Sequence, residues 1–151
     1  MELSAASTQN NLEIVEDWFE EVWNNKNEAY IDKHFAKGAV ANGFGYSTVG
    51  PEAYKDTLHA SLKAFPHIRI KVLDAYEAGN KISVHTEATL KTDEGATYKM
   101  EGICFMKIIN GQVLYIWNSW DFLGKAIDSK QITVQSLMSG LSGNVTSKFV
   151  S

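Results

Sequence analysis

A single cysteine, Cys104, stands in 151 residues, so no disulfide can close within the chain and no Cys-x-x-Cys pair is present to hold a metal. Clusters of Lys and Arg are also missing. With 14 basic residues against 18 acidic ones and a net charge of -4, the chain lacks the basic footprint of a nucleic-acid surface. No apolar run approaches the length needed to cross a bilayer. The opening Met1-Glu2-Leu3-Ser4 has neither the basic nor the apolar block of a signal peptide. These absences lead to the expectation of a cytoplasmic protein with no nucleic-acid or membrane partner, in which the sequon Asn144-Val145-Thr146 carries no glycan. Catalytic signatures are equally scarce. There is no His-Glu-x-x-His, no tight His cluster and no phosphate loop; Gly43 and Gly45 lack the third glycine of a dinucleotide fingerprint; Gly140-Leu141-Ser142-Gly143 fails the nucleophile-elbow pattern. Cys104 lies among apolar residues, where packing is the expected role. No metal and no cofactor are therefore expected. What remains is acid-base chemistry in an apolar pocket, or binding without chemistry.

What is present fits one globular domain. A chain of this length with 44% hydrophobic residues buries well over half of its unfolded surface. Residues 1–9 are small and polar and are expected to be flexible. Asn10 and Glu13 form a helix-start pair, and Leu12, Val15, Phe19, Val22 and Trp23 recur at helical spacing with acids on the opposite face. Asn24 to Asn27 breaks that pattern. Tyr30, Ile31, His34 and Phe35 predict a second short helix ending by Gly38, with His34 as a packing residue. Gly43 to Gly50 reads as a glycine-spaced pocket lip. Pro51 starts a third helix, carrying Tyr54, Leu58, Leu62 and Phe65, which Pro66 stops. His59 falls off its apolar stripe. Beyond Pro66 the period changes from 3.6 to 2: Ile68, Ile70 and Val72, then Ile82 to Leu90, then Tyr98 to Ile109, each bounded by turn residues. This predicts an antiparallel meander on which His85 and Glu87 share an outer face or a subunit contact. Three N-terminal helices covering a curved, mostly antiparallel sheet make an α+β domain over 10–124 that can enclose a cavity. The Ser- and Gly-rich residues 125–151 read as a C-terminal extension, in which Leu137, Met138 and Phe149 are available for packing.

One stretch combines turn, strand and carboxylate. Asn110-Gly111 is a two-residue hairpin signal, and along the next strand Val113, Tyr115, Trp117, Ser119 and Asp121 share a side if no bulge intervenes. Asp121 then closes an aromatic row, where poor solvation would suit it to proton transfer. The alternative is that Asp121 merely ends the strand and caps the next turn of the chain.

The order of these features resembles the SnoaL-like polyketide cyclases of the nuclear transport factor 2-like superfamily. The matching pieces are Glu20-Glu21-Val22-Trp23-Asn24, Gly50-Pro51-Glu52-Ala53-Tyr54, Ala64-Phe65-Pro66 before Ile68-Arg69-Ile70, Ile103 to Gly111, and above all Trp117-Asn118-Ser119-Trp120-Asp121-Phe122-Leu123-Gly124. The resemblance implies a cone-shaped barrel, often a homodimer through the sheet, with a deep pocket for a small apolar ligand and no cofactor. It implies ring closure by intramolecular aldol condensation, with Asp121 as general acid/base. The implied lining comprises Asn42, Tyr46, Tyr54, Leu58, Phe105, Trp117 and Asn118, of which Tyr46, Asn42 and Asn118 would stabilise a developing oxyanion. This chain departs from the pattern at Asn42, where many relatives have histidine, at His67 after Pro66, and at His85 in place of an Arg. Two functions are therefore expected alternatives: a cyclase or isomerase of an apolar carbonyl compound, and a non-catalytic ligand-binding or dimeric interaction protein.

Overall fold

The computed structural model describes residues 10–43 and 45–143. The expected flexible N-terminus, the sequon and Phe149 lie outside the described residues. The chain divides into two compact units, Met1–Trp120 and Asp121–Ser151.

In the first unit, helix α1 (Asn11–Asp17) opens on a complete capping box: Asn10 Oδ1 accepts from the Glu13 amide at 2.8 Å, and Glu13 returns a carboxylate to the Asn10 amide at 3.2 Å. The helix continues as a π-helical segment (Trp18–Asn24) whose ladder is one residue wider, as in Asn25 N–H to Glu20 O at 2.8 Å. The widened turn buries Trp18, Phe19, Val22 and Trp23 together. It also delivers Asn24 to the sheet edge, where the side-chain amide accepts from Ile70 N–H at 2.7 Å and donates to Ile70 O at 2.9 Å. By sequence pattern alone Asn24 is only a helix breaker.

Helix α2 (Glu28–His34) stops earlier than expected. Phe35 begins strand β1 (Phe35–Gly43), and β2 (Tyr46–Val49) returns beside it, so most of the expected lip is a hairpin. The reason is long-range: β1 runs parallel to β6, pairing Val40 with Tyr115 and Asn42 with Trp117, a partner that local periodicity cannot reveal. Gly45, at φ +81°, makes the turn. Helix α3 (Gly50–Ala64) starts with proline in its first turn and ends before Pro66, as predicted. The meander comes next as β3 (His67–Ala78), β4 (Lys81–Lys91), β5 (Thr97–Ile109) and β6 (Gln112–Trp120). Asn110 and Gly111 both take positive φ at the last hairpin.

The sheet order is β2-β1-β6-β5-β4-β3, antiparallel except for β1 with β6. The α+β architecture holds, and the sheet is mixed and unclosed, with β2 and β3 as its edges. Helices α1 to α3 pack on one face. There Ile82, Val84, Ala88, Leu90, Cys104, Met106 and Ile108 meet Ile14, Trp18, Tyr54 and Leu58. At the centre, the Trp18 ring lies 5.3 Å from Tyr54 and 5.7 Å from Phe35, and its Nε1–H donates to the Tyr54 hydroxyl at 3.3 Å.

The second unit contributes α4 (Phe122–Asp128) and α5 (Val134–Leu141), neither of which has a buried residue. Val134, Met138 and Leu141 are exposed.

Candidate functional site

The geometry of β6 turns on one residue. Lys107 pairs with Tyr115 and Ile108 with Val113, so Leu114 is the extra residue of a bulge. Val113 and Ile116 are buried, although strict alternation would place them on opposite faces. The bulge therefore corrects the expected row. Beyond it, Tyr115, Trp117 and Ser119 point to the outer face, away from the helices, while Asn118 and Trp120 share the inner face with Ile116. Trp120 fits there because its partner is Gly102: a Cβ on Gly102 would collide with the indole.

Four of the expected lining residues do come together. Asn42, Tyr46, Trp117 and Asn118, with Gly43, Gly45 and Ser47, surround a hollow of about 250 Å³ where the β1–β2 hairpin meets β6. Tyr46 and Trp117 present half-exposed rings. The Asn42 amide is oriented from both ends: its Nδ2 donates to the Tyr115 hydroxyl at 3.1 Å, and its Oδ1 accepts from Ser47 Oγ. Two amides, a hydroxyl and two aromatic rings can hold a small ligand that is apolar in body and carries hydrogen-bonding oxygen. Ser47 is an addition to the expected lining, brought opposite Asn42 by the β1–β2 hairpin, while the parallel pairing of β1 with β6 brings the Tyr115 hydroxyl to the Asn42 amide.

The other three lining candidates lie elsewhere. Tyr54 and Leu58 are in the core at 2% and 1% exposure. Burial pushes the Tyr54 phenol well above its ordinary range. Phe105 stands on the outer face with its ring 6.3 Å from Tyr115. Asp121 is exposed and serves as the N-cap of α4, its Oδ1 accepting from Gly124 N–H at 2.8 Å. Any side chain at Gly124 would displace that carboxylate, since a Cβ there would collide with Oδ2.

Three histidines and the cysteine sit in structural contacts. His34 is buried and its Nδ1 donates to Gly111 O at 2.9 Å, fixing α2 to the last hairpin. His85 pairs with Glu101 at 2.7 Å on the outer face, and His59 with Glu28 at 2.5 Å between α3 and α2. Burial holds the Cys104 thiol protonated, far above its usual range, which removes its nucleophilicity. Among the described residues no group of three or more His, Cys, Asp or Glu is placed to hold a metal ion, and no helix is long and apolar enough to cross a membrane.

The sequence matches the family of the SnoaL-like domain over residues 15–116, well over half of its length. The chain belongs to the SnoaL-like domain family. Solved structures agree in fold. A candidate SnoaL-like polyketide cyclase from Jannaschia sp. CCS1 superposes with a TM-score of 0.71 at 18% identity, covering 84% of this chain and 95% of that one. A candidate polyketide cyclase from Acidithiobacillus ferrooxidans gives 0.69 at 20% identity, covering 87% and 99%. A protein of ketosteroid isomerase-like fold from Catenulispora acidiphila gives 0.67 at 13% identity, covering 73% and 86%. No curated protein matches the chain. At these identities the likeness is one of fold, and the chemistry of this SnoaL-like chain has to be argued from its own residues.

Proposed function

We propose that this SnoaL-like protein binds a small, largely apolar, carbonyl-bearing molecule of polyketide-like kind and cyclises or isomerises it by acid-base chemistry without a cofactor, with Asp121 as general acid/base. The supporting observation is that β6, which supplies Trp117 and Asn118 to the hollow, ends at Trp120 and is followed at once by an accessible carboxylate held by one backbone hydrogen bond. In the reaction, the Asp121 carboxylate removes a proton from carbon next to the carbonyl. The electron pair moves onto the carbonyl oxygen, and the resulting enolate attacks a second carbonyl or is reprotonated at another carbon. The proton then returns from Asp121 to the product. Amide and hydroxyl donors of Asn42, Asn118 and Tyr46 stabilise the oxyanion. A homodimer through the outer sheet face belongs to the same reading.

A specific observation favours a second reading, binding without turnover. Asp121 caps α4 in solvent, and the buried polar side chains are only His34 and Thr86 among the described residues, so no carboxylate faces the core. The Asp121→Asn variant separates the two. Asn caps helices as well as Asp does, so the fold and α4 are retained while proton transfer is lost. A panel of apolar carbonyl compounds followed by mass spectrometry should give product with the wild type and at least a hundredfold less with the variant. Undiminished turnover in the variant would remove Asp121 from the chemistry. Saturable binding with no product from either protein would establish the second reading.

A further inference from the structure

The polar groups of the hollow differ in how firmly they are held. Asn118 has no hydrogen-bond partner among the described residues, so its amide is not tied to one sense. Asn42 is tied at both ends. It stands opposite Ser47 in the β1–β2 hairpin and beside Trp117 in the parallel pairing, with Tyr115 two residues back along β6 on the same face. Its Oδ1 accepts from Ser47 Oγ, and its Nδ2 donates to the Tyr115 hydroxyl at 3.1 Å. Tyr115 is itself backed by Phe105, whose ring meets it edge-on at 6.3 Å between centroids. An amide has one accepting end and one donating end, so these bonds give the chain from Ser47 to Tyr115 a direction. The Ser47 hydrogen is committed to Asn42. Toward a ligand, Ser47 Oγ offers lone pairs only. Among the described residues no charged side chain lines the hollow, so the direction of its hydrogen bonds is what it has to tell one neutral oxygen from another.

We propose that Tyr115, which lies outside the lining, is a positioning residue for ligand recognition. By holding the Asn42 amide in one sense it makes Ser47 Oγ an obligate acceptor, and the hollow then selects a ligand that brings an O–H to Ser47 over one that brings an ether oxygen there. The inference rests on the ligand-binding half of the function proposed above and adds a rule of selection to it. An ether oxygen facing Ser47 Oγ sets acceptor against acceptor, which is how a polar site rejects a ligand of nearly the right shape. Ser47 is exposed, so water makes up part of the missing bond, and the expected preference is about tenfold rather than the far larger ratio of a closed site. Removing the Tyr115 hydroxyl takes away what fixes the amide. Turned over, Asn42 donates to Ser47 Oγ and the Ser47 hydrogen is released toward the ligand. An ether oxygen is then accepted as readily as a hydroxyl.

The test compares calorimetric affinities for para-hydroxyacetophenone and para-methoxyacetophenone, which differ only in a hydroxyl replaced by a methoxyl. The proteins are the full chain and its variants Ser47→Ala, Tyr115→Phe, and Tyr115→Phe combined with Asn42→Asp, each verified as folded by circular dichroism. The wild type should prefer the hydroxyl compound by about tenfold. Ser47→Ala should weaken binding of that compound and remove the preference. Tyr115→Phe should bring the ratio close to one, chiefly by binding the ether more tightly, a gain that lost packing would not produce. The carboxylate of the double variant has no donating end, so Ser47 must again give up its hydrogen to it. The preference should return, whatever the change in overall affinity. A wild-type preference that survives Tyr115→Phe would overturn the role of Tyr115 and leave ligand binding standing. Equal binding of the two compounds by the wild type would overturn the selection rule and again leave binding standing. A wild type that binds neither compound would overturn this inference together with the hollow as the seat of an aromatic carbonyl ligand.

Discussion

Trp18 and Trp117 lie on opposite sides of the same sheet. Trp18 is 1% exposed, packed against Tyr30, Phe35 and Tyr54, with its indole N–H satisfied by a phenol. Trp117 is 54% exposed and forms a wall of the small hollow. The two rings show what each face is for. The inner face carries almost nothing polar and holds the fold together. The outer face carries rings, amides and charges that the isolated protomer does not need. The sharpest way to break this contrast is Trp18→Ala. It removes a fully buried indole from a ring cluster and leaves a cavity that the surrounding sheet cannot close. The expected loss is about 3–5 kcal/mol in denaturant unfolding. A loss below about 1 kcal/mol would mean that the inner face is not the source of stability.

The inner face also has a pH signature. Burial raises the Tyr54 phenol from 10.0 and the Cys104 thiol from 9.0. Above those values the unfolded chain releases both protons while the folded chain keeps them. The unfolded state then binds fewer protons, so stability is fully present below about pH 9 and falls as pH rises further. Tyr54→Phe should cost about 1–3 kcal/mol at neutral pH, because Trp18 Nε1–H is left buried without its acceptor. It should also flatten the fall above pH 10, leaving the part due to Cys104. Unfolding curves from pH 7 to 11 check both effects. An unchanged alkaline slope would show that the phenol ionises as easily inside as outside.

The two faces are not equally legible in the sequence. Alternation yields the inner residues of β4 and β5 directly, because Ile82 to Leu90 and Cys104 to Ile108 repeat with a period of two and each register partner is local. The first helix is equally plain from its capping box. The failures share a cause. The start of β1 reads locally as the end of a helix because its stabilising partner is parallel β6, more than seventy residues away. The aromatic row falls on the wrong face by simple alternation because Leu114, a residue with nothing unusual about it, adds one position to β6. A one-residue slip moves every later side chain across the sheet. Asp121 is legible both as a strand-end carboxylate and as a cap, and its geometry here is the cap. The hollow is partly legible: Asn42, Tyr46, Trp117 and Asn118 belong to the expected lining, but Ser47 enters through the β1–β2 hairpin, a segment that reads as a glycine-spaced loop.

The smallest expected effect on stability belongs to Trp117→Ala. It removes as large a side chain as Trp18→Ala does, yet the ring already meets solvent over half of its surface. Its removal leaves no closed cavity, and neither end of the Asn42 amide depends on it. At a protein concentration where both proteins share one association state, unfolding should shift by no more than about 1 kcal/mol. Binding should respond differently, because a half-exposed ring beside two amides contributes its area to a ligand rather than to the core. A small aromatic carbonyl compound that saturates the wild type in calorimetry should lose at least tenfold in affinity. Retained affinity with lowered stability would reverse the assignment and make Trp117 a packing residue, in which case the hollow would no longer be the ligand's seat.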